Sequence, residues 1–387
     1  MRQDRPITDA RSALHAIDKR LGELWQLGSR FVAAWTLDGT TLIVATARIA
    51  DLPALAASEP ALLRGERLDL QQLAQTCTRA RLRMEEIQAG PWWNTPQLQS
   101  ALEASIGRYA IRRTEFHAMS RIEIDGFRAL PTAQRIAQLA TLSYSINIAA
   151  ERLEGAGSDI DLGRAPTGKG YRLWNRRQGW KADIDLFCLL ALTLAENGLE
   201  RARDEAAAPT VKAAFTVGGG WEFSLPRGGG SPAIHNDVLG EIEDETQSLL
   251  EATLAGQILI GAFQRPMAEG APRKGMIYRT LDAPRFVGLA QRRLGDFDNV
   301  MLGAEKVSGI KLYLTGDEIA PGTFDIKSFA YPIGRSRTME AFNVKLNIHR
   351  PAQPPFFFGL QHKDLRDVAQ TRAYRSDEAP KDFVLPA

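Results

Sequence analysis

A chain of 387 residues with 44% hydrophobic and 24% charged side chains holds enough apolar material for one large or two ordinary domains, and is neither disordered nor fibrous. Its formal net charge of +2 is too small to imply a polyanion partner for the molecule as a whole, so any such partner has to be read from local patches. Cys77 and Cys188 lie in apolar surroundings with no Cys or His at ligand spacing, which argues against a disulfide framework or a cysteine zinc site and suits a reducing compartment.

The first helix is expected after Thr8, with Leu14, Ile17, Leu21, Leu24 and Trp25 on one face and Gly28 as its stop. "RFVAAWTLDGTTLIVATAR" then reads as a hairpin turning at Asp38-Gly39, a pair that accepts positive φ. A helix is expected over 68–89. A shorter one follows, capped by Thr95, with Pro96 in its first turn and Gly107 as its stop. "SRIEIDGF" reads as a strand. The spacing of Ile136, Leu139, Ala140, Tyr144 and Ile148 predicts a long helix from Thr132 to Leu153 with that face inward.

Residues 155–181 show neither helical nor strand period and read as a long loop, after which Asp183 or Asp185 opens an apolar helix. "TVKAAFTVGGGWEFSLP" suggests two strands about a glycine turn, and an acidic helix should follow over Asp237–Leu254. "QILIGAF", "GMIYRTL", "GIKLYLTG", "TFDIKSFAYP" and "MEAFNVKLNI" are strand candidates, with one helix near Pro284–Leu294.

These elements predict an α+β fold. Its N-terminal half is helix-rich with an early β-hairpin, and its C-terminal half is a mainly antiparallel sheet. The expected regions are 1–208 (helices, hairpin and basic loop), 209–350 (sheet) and 351–387 (an extended C-terminal arm); a single domain in which the front hairpin joins the rear sheet is the alternative. No run of eighteen apolar residues occurs and the polar N-terminus is no signal peptide, so the expectation is a cytoplasmic protein, bacterial in composition, with no membrane partner.

Function turns on Gly163–Leu186. Gly163, Gly168 and Lys169 have the spacing of a phosphate-binding loop, but Gly170 stands where the hydroxyl ligand of Mg²⁺ belongs. Asp183 and Asp185 form the D-x-D pair of a metal-dependent nucleotidyl or phosphoryl transferase if they lie on a strand. On a helix they point about 200° apart and serve as cap and first-turn acid instead.

The favoured reading is a non-enzymatic polyanion-binding protein, its partner a nucleic acid. Arg164, Lys169, Arg172, Arg176, Arg177 and Lys181 would neutralise phosphates, while Tyr171, Trp174 and Trp180 would stack on bases. Against it stands a plainer possibility: tryptophans that cover the core and arginines paired with the acidic helix around Glu241–Glu245. A third reading is a structural subunit, or a homo-oligomer, docking through the arm that carries Phe356, Phe357 and Phe358. Neither a metal nor a cofactor is expected. Further basic groups at Arg273–Arg279, Arg292, Arg293, Arg335 and Arg337 are individually ordinary and matter only if the fold gathers them.

Overall fold

The structure is a computed structural model. It describes residues 9–387 apart from 66, 159, 205–207, 227–233, 269–275, 299–300, 303–304, 322, 334–336, 352, 361–364, 366–369, 376–381 and 385–387. The fold is α+β, as the sequence predicts, and the chain forms two compact units, Met1–Thr114 with Gly220–Leu239, and Glu115–Gly219 with Gly240–Ala387.

The elements of the first stretch are α1 (Ala10–Trp25), β1 (Arg30–Asp38), β2 (Thr41–Arg48), α2 (Leu52–Ser58), α3 (Leu70–Ala80), β3 (Arg83–Gln88) and α4 (Pro96–Gly107). They are followed by β4 (Arg112–Ile124), α5 (Thr132–Gly155), β5 (Leu162–Pro166), β6 (Gly170–Asn175), α6 (Trp180–Arg203), β7 (Val211–Pro226), β8 (Ile234–Leu239) and α7 (Glu241–Ala252). Then come β9 (Ile258–Gly261), β10 (Gln264–Pro266), β11 (Ile277–Asp282), α8 (Ala283–Leu294), β12 (Met301–Leu302), β13 (Glu305–Lys306) and β14 (Gly309–Leu314). The last are β15 (Gly316–Ala320), β16 (Thr323–Ile333), β17 (Arg337–Arg350), β18 (Gln353–Phe358), β19 (Gln370–Arg375) and β20 (Asp382–Val384).

In the first unit β1, β2 and β3 form an antiparallel sheet. Gly39, at φ +56°, makes the Asp38-Gly39 turn possible. One face packs on α1 and α4 through Ile17, Leu21, Leu102 and Ile106; the other meets Leu73 and Cys77 of α3. Asp9, not Thr8, caps α1 by accepting from Ser12 N at 2.7 Å; Thr8 lies outside the described residues. Thr95 caps α4 as expected, accepting from Leu98 N at 3.3 Å. The expected helix over 68–89 is instead α3 followed by β3: Arg81 turns left-handed at φ +54° and the chain returns as a third strand on β2.

In the second unit the strand order runs β15-β16-β17-β9-β7-β4-β6-β5, and β14 and β18 also pair with β17. Between β7 and β9 Ala213–Phe215 lie parallel to Ile258–Ile260, whereas β4–β6, β5–β6, β9–β17, β16–β17 and β15–β16 pair antiparallel. Alternation sets the two faces. Ile122, Leu173, Phe215 and Ile260 meet α5, α6 and α8, while Ala214, Leu259 and Ala341 lie under Leu249 and Leu250 of α7. Phe187, Phe215, Phe263 and Phe286 interlock at centroid distances of 4.9 to 6.5 Å and pin α6 and α8 to the sheet.

Several expectations change here. The supposed glycine turn in "TVGGGW" is the middle of one continuous strand, β7. The 155–181 loop contains the β5–β6 hairpin. The inward face assigned to the long helix is wrong for Ile136 and Tyr144, which are each 65% exposed; Leu142, Ser145, Ile146, Ala149 and Leu153 face the core instead. The aromatic arm is tied to its own sheet: β18 pairs with β17, and Phe356 and Phe358 pack on the core, the former over Gly198, where a Cβ would lie 2.7 Å from its ring. Among the described residues no helix is long and apolar enough to cross a membrane.

Candidate functional site

Most of the residues singled out in Gly163–Leu186 are buried or half-buried; Gly168 and Lys181 are exposed. Thr167 N donates to Gly170 O at 3.0 Å, closing a turn on Gly168 at φ +83°. The other glycines of the phosphate-loop pattern allow close approach. A Cβ on Gly163 would enter the Trp174 ring at 2.1 Å, and one on Gly170 would meet the carbonyl oxygen of Ile122 at 2.0 Å.

Trp174 is fully buried and Arg172 and Arg176 are nearly so. Strand pairing sets Arg172 directly opposite Arg121, and Glu243 of α7 lies between the two guanidinium groups, bonded to Arg121 and 3.0 Å from Arg172 Nη1. Gln247 also accepts from Arg121. Burial pulls the Arg121 pKa down, with Glu243 opposing that shift.

Lys169 Nζ is 2.6 Å from the buried Glu123, and Arg176 lies 3.7 Å from Asp161. Arg164 covers the ring of Tyr171 at 4.6 Å and donates to Asn147, while Tyr171 donates to Leu139 O. Lys181 lies 5.5 Å from the Trp180 ring, and Arg177 N donates to Asn175 Oδ1. Stacking faces and cations alike are engaged within the protein.

The nucleic-acid reading is therefore corrected: the plainer possibility, arginines paired with the acidic helix, is the one the structure shows for Arg172. The D-x-D reading fails as well. Asp183 and Asp185 stand on α6 and are held apart, Asp183 by the buried Arg265 at 2.5 Å, Asp185 by Arg293 at 3.4 Å and Ser158 at 3.1 Å. Among the described residues no three His, Cys, Asp or Glu side chains come together as a metal site.

The fold instead gathers side chains along α8. Asp282 caps this helix, accepting from Arg285 N at 3.0 Å, and Pro284 occupies its first turn. Its outer side borders a cavity of about 670 Å³ whose walls include Val287, Gly288, Leu312, Leu314, Lys345 and Phe357. A second cavity, of about 430 Å³, adjoins it through Pro284, Gly288 and Ile326 and carries Arg279, Arg285 and Arg292. Arg285 is paired with Asp282 at 2.6 Å; Arg279 and Arg292 are exposed, Arg279 standing opposite Asp382 of β20 in the strand register.

In the larger cavity burial pushes the Lys345 pKa down, Asp317 opposing the shift. The sequence marks Arg279 and Arg292 only as ordinary basic groups. Arg273 and Arg335 lie outside the described residues, and Arg337 pairs with Glu245 at 3.3 Å.

No family model and no curated protein matches the chain. Solved structures of similar α+β fold include the guanylyl cyclase Cya2 (TM-score 0.34, 13% identity, covering 60% of this chain and 92% of that one). Another is the adenylyl cyclase CyaB from P. aeruginosa (0.33, 13%, 60% and 95%). A third is the guanylate cyclase domain of RhGC from Catenaria anguillulae (0.34, 11%, 60% and 97%). At such scores the likeness carries no inference about the activity of this chain.

Proposed function

We propose that the protein binds a small anion with an apolar or aromatic body in the paired cavities along α8. One observation carries the reading: the two cavities abut through Pro284, Gly288 and Ile326, and their lining changes from aliphatic at Val287, Leu312 and Leu314 to cationic at Arg279, Arg285 and Arg292. A volume of about 670 Å³ suits a ligand of ordinary small-molecule size, with the apolar wall taking its body. The arginines form charge-assisted hydrogen bonds to its anionic end.

Titration with anilinonaphthalene sulfonate, an aromatic anion whose fluorescence rises in apolar surroundings, tests this. Saturable binding at one site per chain is expected. Arg279→Ala with Arg292→Ala should weaken it about 100-fold or more, at roughly 1.5 kcal/mol or more per charged hydrogen bond, with the melting curve unchanged. Competition by a nucleoside triphosphate or by an alkyl phosphate distinguishes an aromatic from an aliphatic body. Absence of binding, or binding indifferent to both arginines, would overturn the proposal.

A further inference from the structure

α5 carries two apolar faces and the chain uses only one. Its buried residues begin at Leu142, so the first two turns, Thr132 to Ala140, bury no side chain fully. The opposite stripe, Ala133, Ile136, Ala137, Ala140 and Tyr144, is exposed along its length, and its two large members are the 65%-exposed Ile136 and Tyr144. Of these turns Leu139 packs in part against the core, and an apolar stripe at three- and four-residue spacing on the other side is the usual mark of a helix–helix contact.

The pattern is self-complementary. Ile136 and Tyr144 stand four residues to either side of Ala140, about 12 Å apart along the axis at 1.5 Å per residue. When two such helices run antiparallel about a two-fold axis at Ala140, each Ile136 meets the other copy's Tyr144, and alanine faces alanine where the backbones come closest. Charge agrees with that direction. Glu151 and Glu154 are exposed at the C-terminal end and Arg128 just before the N-terminal end, so each acidic end faces the other copy's Arg128 and the positive end of its helix dipole. We infer that α5 is the surface through which two copies of this chain associate.

Sedimentation velocity of the full chain between about 1 and 100 μM should show a monomer–dimer equilibrium, as expected for a contact at the small end of the interface range. Ile136→Glu with Tyr144→Glu should weaken it at least about tenfold, since both charges would be buried in apolar contact. Ala140→Cys supplies a geometric check, because residues on the axis lie within disulfide reach and the native Cys77 and Cys188 are buried. Mild oxidation should cross-link Ala140→Cys into a covalent dimer and leave Gln134→Cys, on another side of the helix, monomeric. A wild type that stays monomeric at about 100 μM, a dimer untouched by the glutamates, or cross-linking at position 134 but not 140 would each overturn the inference.

Discussion

Asp183→Ala should cost about 3–5 kcal/mol of folding stability, read as a shift in the urea midpoint by circular dichroism. The Arg265 side chain is 2% exposed and that of Asp183 6%, with Nε and Oδ2 2.5 Å apart. Arg265 also lies over the Phe116 ring at 5.3 Å and donates to Pro266 O. Removing the carboxylate strands a guanidinium in the interior, where its desolvation is no longer offset. Asp183→Leu with Arg265→Met, which removes both charges at similar volume, should recover most of the loss. An acid held in reserve for a metal behaves in the opposite way, since replacing it relieves strain or repulsion. A neutral or stabilising Asp183→Ala would therefore show that the pair is not the structural element assigned here.

The second large effect is expected at Gly288. It stands on the exposed side of α8, borders both cavities, and a Cβ there would meet nothing within 4 Å. Gly288→Ala should raise stability by about 0.5–1 kcal/mol, because glycine in a helix interior is unfavourable relative to alanine. Gly288→Trp places an indole where the two cavities meet. Anilinonaphthalene sulfonate binding should then fall below detection while the urea midpoint stays at or above that of the wild type. Binding that survives the tryptophan places the probe elsewhere on the molecule.

What was legible in the sequence was local chemistry. Thr95, Pro96 and Gly107 delimit α4 by capping and by proline's missing N–H, and Asp38-Gly39 turns the first hairpin through a positive φ. Features decided by distant partners were not legible. β3 continues what reads as one helix with α3 because Arg83–Gln88 find their hydrogen bonds on Thr41–Thr46. The inward face of α5 was misassigned because both of its stripes are apolar.

The cations of Arg164–Lys181 read as a solvent-facing patch until Glu243, over seventy residues on, is seen beside Arg172. The candidate site was the least legible part. Arg279 and Arg292 both line the second cavity from β11 and α8, and the apolar wall beside them comes from β14 and β17, whose sequences announce only sheet, and from β18, which reads as part of an extended arm.

Residue-level labelling of Lys345 tests the central claim most directly. At mildly alkaline pH its burial-lowered pKa leaves more free amine than an ordinary lysine has, so acetic anhydride should acetylate it readily, as read by mass spectrometry. Anilinonaphthalene sulfonate at about ten times its dissociation constant should slow labelling of Lys345 about tenfold and leave the exposed Lys181 unaffected. Equal labelling of Lys345 with and without the saturating probe would contradict a ligand site along α8.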